Sequence, residues 1–90
     1  MKSYIVTINI RDGEYEYIDK TILELTDEQA ENPSEILSLW RGFDDEAIKA
    51  TEVWSTWFEF GEFDYRHYQV YYIQEIKPEH VEILHSYGIY

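Results

Sequence analysis

Alternation of apolar and polar residues predicts two strands at the start of the chain. Over Lys2–Ile10, apolar side chains occupy every second position, which is the period of a β-strand. Asp12-Gly13 follows, a dipeptide that favours a tight hairpin because glycine adopts positive φ without steric cost. We therefore expect a second strand over Glu14–Leu25, with Ile10 opposite Tyr15 and Arg11 beside Glu14.

The period changes from strand to helix after Leu25. Thr26 and Gln29 have the spacing of a capping box, and the first helix should be short because Pro33 disfavours helical geometry in the residue before it. A second helix is expected over Glu35–Arg41, where apolar residues cluster at helical spacing before a glycine. Asp44–Ala50 is predicted to form either a helical turn or an ordered loop.

A long aromatic segment predicts the second hairpin. Strand-forming residues dominate Val53–Phe60 and Tyr65–Ile76, and the intervening Gly61–Asp64 has the composition of a turn. If Phe60 pairs with Tyr65, the register also places Phe58 opposite His67, Trp57 opposite Tyr68 and Glu59 opposite Arg66.

Alternation then predicts that both faces of this hairpin are apolar. An antiparallel sheet with one wet side carries apolar residues on one face only, so the second face should be covered or should bind something. One face would carry Trp54, Phe58, Phe60, Tyr65, Tyr71 and Ile73, and the other Val53, Trp57, Tyr68, Val70, Tyr72 and Ile76.

The final helix is predicted over Pro78–Tyr87, with proline at its first position and a glycine after it. The order β-β-α-(α)-β-β-α predicts a single acidic α+β domain over residues 1–90. It should form two layers: a four-stranded, mainly antiparallel sheet of two hairpins, and two or three short helices. The helices over Glu35–Arg41 and Pro78–Tyr87 are wide enough to cover one sheet face, which predicts that the aromatic side chains of the other face are exposed.

Charge narrows the function classes. The net charge is −12, which argues against binding to nucleic acid or to an anionic membrane, since both need Lys and Arg, and favours a basic protein partner. The sequence contains no cysteine and no apolar run long enough to span a bilayer, and its opening residues read as a strand rather than a signal peptide. We therefore expect a cytoplasmic protein.

Candidate catalytic and metal-binding residues are few. His67 lies among aromatic residues, but the predicted register turns Glu59, its nearest acid, to the opposite face. His80 and His85 are five residues apart on one helix, so they do not share a face. Asp44-Asp45-Glu46 lacks the spacing and the central glycine of a calcium loop. We therefore predict a protein that is not an enzyme and needs no cofactor.

The hypothesis that fits these patterns is a small acidic protein-interaction module. A sharper version is an inhibitor of phage type that mimics nucleic acid, with carboxylates on both sides of Trp40 in place of phosphates. The alternative is a homo-oligomeric structural protein, such as a dimer, whose aromatic face associates with itself. The predicted interaction residues are Trp57, Tyr68, Tyr71, Tyr65, Asp44, Asp45, Glu46, Glu31 and Glu35.

Overall fold

The computed structural model describes residues 1–42, 50–61 and 66–89. Across them the chain forms an α+β fold in the order β-β-α-α-β-β-β-α, with a five-stranded antiparallel sheet of strand order β2-β1-β5-β4-β3. The elements are β1 Lys2–Asp12, β2 Tyr15–Leu25, α1 Asp27–Ala30, α2 Pro33–Arg41, β3 Thr51–Trp54, β4 Trp57–Glu59, β5 His67–Ile76 and α3 Pro78–Ser86.

The α+β class and the antiparallel sheet are confirmed. The sheet has five strands rather than four because the predicted strand Val53–Phe60 turns back on itself at Ser55-Thr56 and forms β3 and β4. The predicted turn at Gly61–Asp64 lies mostly outside the described residues, as does the piece predicted over Asp44–Ala50.

The first hairpin forms with a register two residues away from the predicted one. Its loop is Gly13-Glu14, and Gly13 has φ 64° at the first loop position, where a type II′ turn has its glycine. Ile10 consequently pairs with Tyr17, and Arg11 pairs with Glu16. Because the shift is an even number of residues, every side chain stays on its predicted face.

The pairing of β4 with β5 differs from the prediction by one residue. Phe58 lies opposite Tyr68 rather than opposite His67. A slip of one residue exchanges the two faces of a strand relative to its neighbour, so Phe58 and Tyr68 share one face and cannot be divided as predicted. A bulge in β5 near Tyr71, between the pairs Thr7–Tyr72 and Ile8–Val70, changes the alternation again.

The core lies between the sheet and the helices α1 and α2. Tyr68 is fully buried at its centre, with ring centres 5.3 Å from Trp40 and 5.4 Å from Phe60, both in edge-to-face geometry. Such aromatic pairs add about 0.5–1.5 kcal/mol to the effect of burial. The buried cluster comprises Val6, Ile8, Ile10, Leu25, Ile36, Leu37, Ala50, Phe58, Phe60 and Tyr68.

The cap of α1 and the glycine after α2 follow the predicted signals, whereas α2 begins at Pro33 rather than at Glu35. The capping box at α1 is confirmed: the Gln29 amide donates to Thr26 Oγ1 at 3.2 Å, and the Thr26 amide donates to Gln29 Oε1 at 2.9 Å. Asn32 caps α2 through its side chain, with Pro33 at the first turn. Gly42 ends α2 with φ 78°, a left-handed conformation that glycine adopts without strain.

The position of α3 corrects the expectation that the convincing helices cover one face together. Pro78 and Val81 of α3 line a cleft of about 370 Å³ with Ser3, Ile22 and Glu24, whose side chains lie on the sheet face opposite the core. Helix α3 therefore shields one end of that second face. Among the described residues, no helix is long and apolar enough to cross a membrane.

Lys2 connects three elements at this end of the sheet. Its Nζ lies 3.3 Å from Asp27 Oδ1 and 3.5 Å from Glu75 Oε1. The hydrogen bond and charge of Asp27, followed by those of Glu75, raise the pKa of Lys2 above its usual range. The ammonium group therefore stays charged while it bridges β1, α1 and β5.

Replacing Tyr68 by alanine should test the position of the core. Tyr68→Ala removes a fully buried ring, and large aromatic truncations in cores cost about 3–5 kcal/mol of unfolding free energy. The matched control is Tyr71→Ala, because Tyr71 lies on the same strand with 67% of its surface exposed and should change stability by less than about 0.5 kcal/mol. Urea unfolding followed by circular dichroism measures both, and equal losses would contradict this core.

Candidate functional site

The end of the second sheet face that lies away from α3 carries the main candidate site. Arg11 and Asn9 of β1 lie there between β2 and β5, because their register partners on those strands share this face. The neighbouring side chains of β3 and β4 extend the surface to the far edge of the sheet. We call this surface the tryptophan face; it consists of Asn9, Arg11, Glu16, Ile18, Trp54, Trp57, Glu59, His67 and Gln69.

A strained two-residue turn positions the two tryptophans. Ser55 and Thr56 join β3 to β4 with φ values of 25° and 69°. Positive φ is uncommon outside glycine, and for a β-branched residue such as Thr56 it is an outlier. The turn pairs Trp54 with Trp57, and their rings stack with centres 6.1 Å apart and planes 22° apart.

A chain of side-chain hydrogen bonds runs from this turn to the middle of the sheet. Gln69 Nε2 donates to Thr56 Oγ1 at 2.6 Å, and Asn9 Nδ2 donates to Gln69 Oε1 at 3.0 Å. The Thr56 hydroxyl therefore anchors the strained turn to β5 and β1. This bond gives a physical reason for threonine at a position where backbone geometry favours glycine.

His67 contacts both Trp54 and Glu59 on the tryptophan face. Its ring centre is 4.8 Å from that of Trp54 in edge-to-face geometry, and its Nε2 is 3.7 Å from Glu59 Oε2. The expectation that Glu59 points away from His67 was therefore wrong, because the observed register of β4 and β5 brings the two side chains to the same face. A histidine beside a carboxylate is an arrangement that acid–base chemistry uses, and protein surfaces also contain it for purely structural reasons.

Arg11 connects the tryptophans to the edge strand β2. Its Nε donates to Glu16 Oε1 at 2.8 Å, and its guanidinium carbon lies 5.2 Å from the centre of the Trp57 ring. Beside this pair is a depression of about 240 Å³, lined by Asn9, Glu16, Tyr17, Ile18 and Trp57. Its walls combine apolar, amide and carboxylate groups, a mixture suited to recognising a polar group on an aromatic or aliphatic stem.

The structure places the predicted interaction residues that it describes in four different locations. Trp57 belongs to the tryptophan face, and Tyr71 is exposed in the β5 bulge. Tyr68, predicted on the same face as Trp57, is buried in the core and is therefore not accessible to a partner. Glu31 and Glu35 are exposed beside α1 and α2. The remaining four, Tyr65, Asp44, Asp45 and Glu46, lie outside the described residues.

Sequence reasoning missed several members of the tryptophan face. Alternation along a single strand places Trp54 on the face opposite Trp57, but the chain turns back between them and brings both rings to one face. The available signal was Ser55-Thr56, two small polar residues between aromatic strand residues, but neither is a typical residue for positive φ. In the ranges 1–42, 50–61 and 66–89, no group of three or more histidine, aspartate or glutamate side chains is arranged to hold a metal ion.

Comparisons with known proteins do not add a family. No protein-family model, no curated protein and no solved structure matches the chain.

Replacing the strained turn by Asn-Gly should raise stability. Left-handed geometry costs about 1–2 kcal/mol for an ordinary residue, and Asn-Gly adopts it readily. Ser55→Asn with Thr56→Gly also removes the hydroxyl bond to Gln69, a loss of about 0.5–1.5 kcal/mol, so a net gain of about 1 kcal/mol is expected in thermal or urea unfolding.

Ser55→Asn alone is the matched control, because it relieves strain at one position and keeps the Thr56 hydroxyl. A double variant less stable than this control would show that the bond from Gln69 to Thr56 outweighs the strain of the turn.

Proposed function

We propose that this protein is a protein-interaction module that uses the tryptophan face to bind a basic protein partner. The observation that carries the proposal is the stacked pair of Trp54 and Trp57, partly exposed on the end of the sheet away from α3. Tryptophan and arginine are enriched among residues that dominate binding energy, and Arg11 packs against Trp57 here. A partner side chain could fit the adjacent depression of about 240 Å³.

Charge supports a basic partner. The net charge of −12 creates a negative field that speeds the approach of a positively charged protein. Carboxylates lie on both layers: the exposed Glu16 and the half-buried Glu59 beside the tryptophans, and the exposed Asp27, Glu28, Glu31 and Glu35 on and around α1 and α2. The field therefore steers the encounter, while the aromatic side chains supply affinity at short range.

The inhibitor that mimics nucleic acid is a narrower form of this proposal. It requires that the carboxylates occupy the partner's phosphate-binding residues, so nucleic acid and this protein would compete for one site. The support for this form is the density of carboxylates, which a merely soluble protein also shows. Displacement of bound nucleic acid from the captured partner is its specific test.

Self-association through the same tryptophan face is the competing possibility. It would bury Trp54 and Trp57 against a second copy and leave no site for another protein. The two differ in what happens on dilution of the pure protein, because a complex between copies dissociates without any other component present.

Introducing a negative charge next to the tryptophan stack should abolish binding to the partner. Trp54→Glu removes a partly exposed ring and places a carboxylate at its position. The amount of captured partner should therefore fall at least about a hundredfold, which is the effect of a strong interface residue. Quantitative pulldown from the source cell, at low and high salt, measures the loss against the wild type.

Tyr87→Glu is the matched control, since Tyr87 is an exposed aromatic residue at the end of α3 and undergoes the same change of charge. A protein retained by the wild type and by Tyr87→Glu, but not by Trp54→Glu, binds through the tryptophan face. Equal retention by both variants would contradict the proposal, and a dimer of the pure protein lost only in Trp54→Glu would favour self-association.

A further inference from the structure

The outer edge of β2 is a second surface with binding capacity. Strand β2 is eleven residues long and lies at one end of the sheet order, and no strand within the described ranges pairs with its outer side. Its first six residues, Tyr15–Lys20, are all exposed. A long, exposed edge offers unpaired backbone groups that a further strand can pair with.

The hairpin geometry shows which residues of β2 face outward. Asp12 pairs with Tyr15 across a two-residue loop, so the odd-numbered residues of β2 exchange backbone hydrogen bonds with β1. The even-numbered residues Glu16, Ile18 and Lys20 therefore direct their N–H and C=O groups to the free edge. One hydrogen bond agrees with this direction: the Lys20 amide donates to Asp19 Oδ1 at 3.0 Å rather than to β1.

We propose that two copies of this chain associate through antiparallel pairing of their β2 edges, with Ile18 opposite Ile18 of the second copy. In that register Glu16 of each copy, which also binds Arg11 of its own chain, lies opposite Lys20 of the other copy, which gives two opposite-charge pairs. Glu16, Ile18 and Lys20 of each chain would form about six backbone hydrogen bonds across the two-fold axis, and the Lys20 amide would exchange its bond to Asp19 Oδ1 for one to the second copy. The two sheets then form one continuous sheet.

Charge selects this register over its neighbours. Outward-facing residues must pair with one another, so the register can change only in steps that keep even-numbered residues opposite even-numbered ones. Centring the pairing on Glu16 or on Lys20 places like charges opposite each other, and centring it on Asp19 does the same for two aspartates. Centring it on Tyr17 places Glu16 opposite Ile18 and loses the pairing of Glu16 with Lys20. The register centred on Ile18 alone combines the apolar contact with both opposite-charge pairs.

The overall charge acts against this dimer and sets the conditions for its measurement. Two copies that each carry −12 repel at long range, and salt screens this repulsion while short-range pairs persist. Sedimentation velocity at about 0.15 M salt, where charges separated by more than about 8 Å are screened, is therefore the appropriate experiment. The wild type should shift from monomer to dimer between micromolar and millimolar concentration.

Exchanging the charges tests the register itself. Glu16→Lys gives a chain with lysine at positions 16 and 20, and Lys20→Glu gives a chain with glutamate at both. Each variant alone then places like charges opposite each other, so the affinity of its own dimer should fall by at least about tenfold. Mixing the two variants restores both opposite-charge pairs and should produce a mixed dimer. Glu16 also belongs to the tryptophan face but Lys20 does not, so a dimer through that face would respond to Glu16→Lys alone and would gain nothing from the mixture.

Ile18→Pro gives a second test that does not depend on charge. Its missing N–H faces the free edge, where proline is tolerated, so the monomer should stay folded and the dimer should be lost. Tyr17→Pro is the control, because that N–H bonds to β1 and its loss should disrupt the hairpin.

A wild type that stays monomeric at millimolar concentration would overturn the proposal. So would a dimer that persists unchanged in Ile18→Pro, or charge variants that gain nothing on mixing. Because Trp54→Glu leaves β2 intact, loss of the partner in that variant with retention of the dimer would support both proposals independently.

Discussion

Pairing of β1 along both of its sides holds the sheet together. Its neighbours β2 and β5 run antiparallel to it over nearly its full length, so β1 is the strand whose alternation decides what faces the helices. Val6, Ile8 and Ile10 lie on one side and are buried, while Asn9 and Arg11 lie on the other and reach the tryptophan face. The core and the candidate site are therefore opposite sides of one strand.

The bulge in β5 matters because it lets one strand serve two different surfaces. Before the bulge, the even-numbered residues Tyr68 and Val70 face α2. After it, the odd-numbered residue Ile73 is the one that packs against the core. Without the extra residue, Tyr72 would take the position of Ile73 against the core. Tyr71 and Tyr72, at the bulge, are exposed, whereas Tyr68, before it, is buried against Trp40 and Phe60.

The tryptophan face is less apolar than the pattern of aromatic residues suggested. Two tryptophans stack there, but the rows beside them hold Asn9 bonded to Gln69, Arg11 bonded to Glu16, and His67 beside Glu59. A surface with its polar groups already paired stays compatible with water while its rings remain available.

The sequence by itself determined the α+β class, the first hairpin, the capping box of α1 and the acidity, because each depends on residues close together in the chain. The side of the sheet for every residue of β1 also followed from alternation, which an error of two residues in register leaves unchanged. Only the tertiary structure decided that Tyr68 is core, that Trp54 joins Trp57, and that Glu59 meets His67. These depend on a strained turn at Ser55-Thr56 that Gln69 holds, on a one-residue slip between β4 and β5, and on a bulge in β5 where it pairs with β1. Each involves strands or side chains distant in the chain, which local residue preference does not indicate.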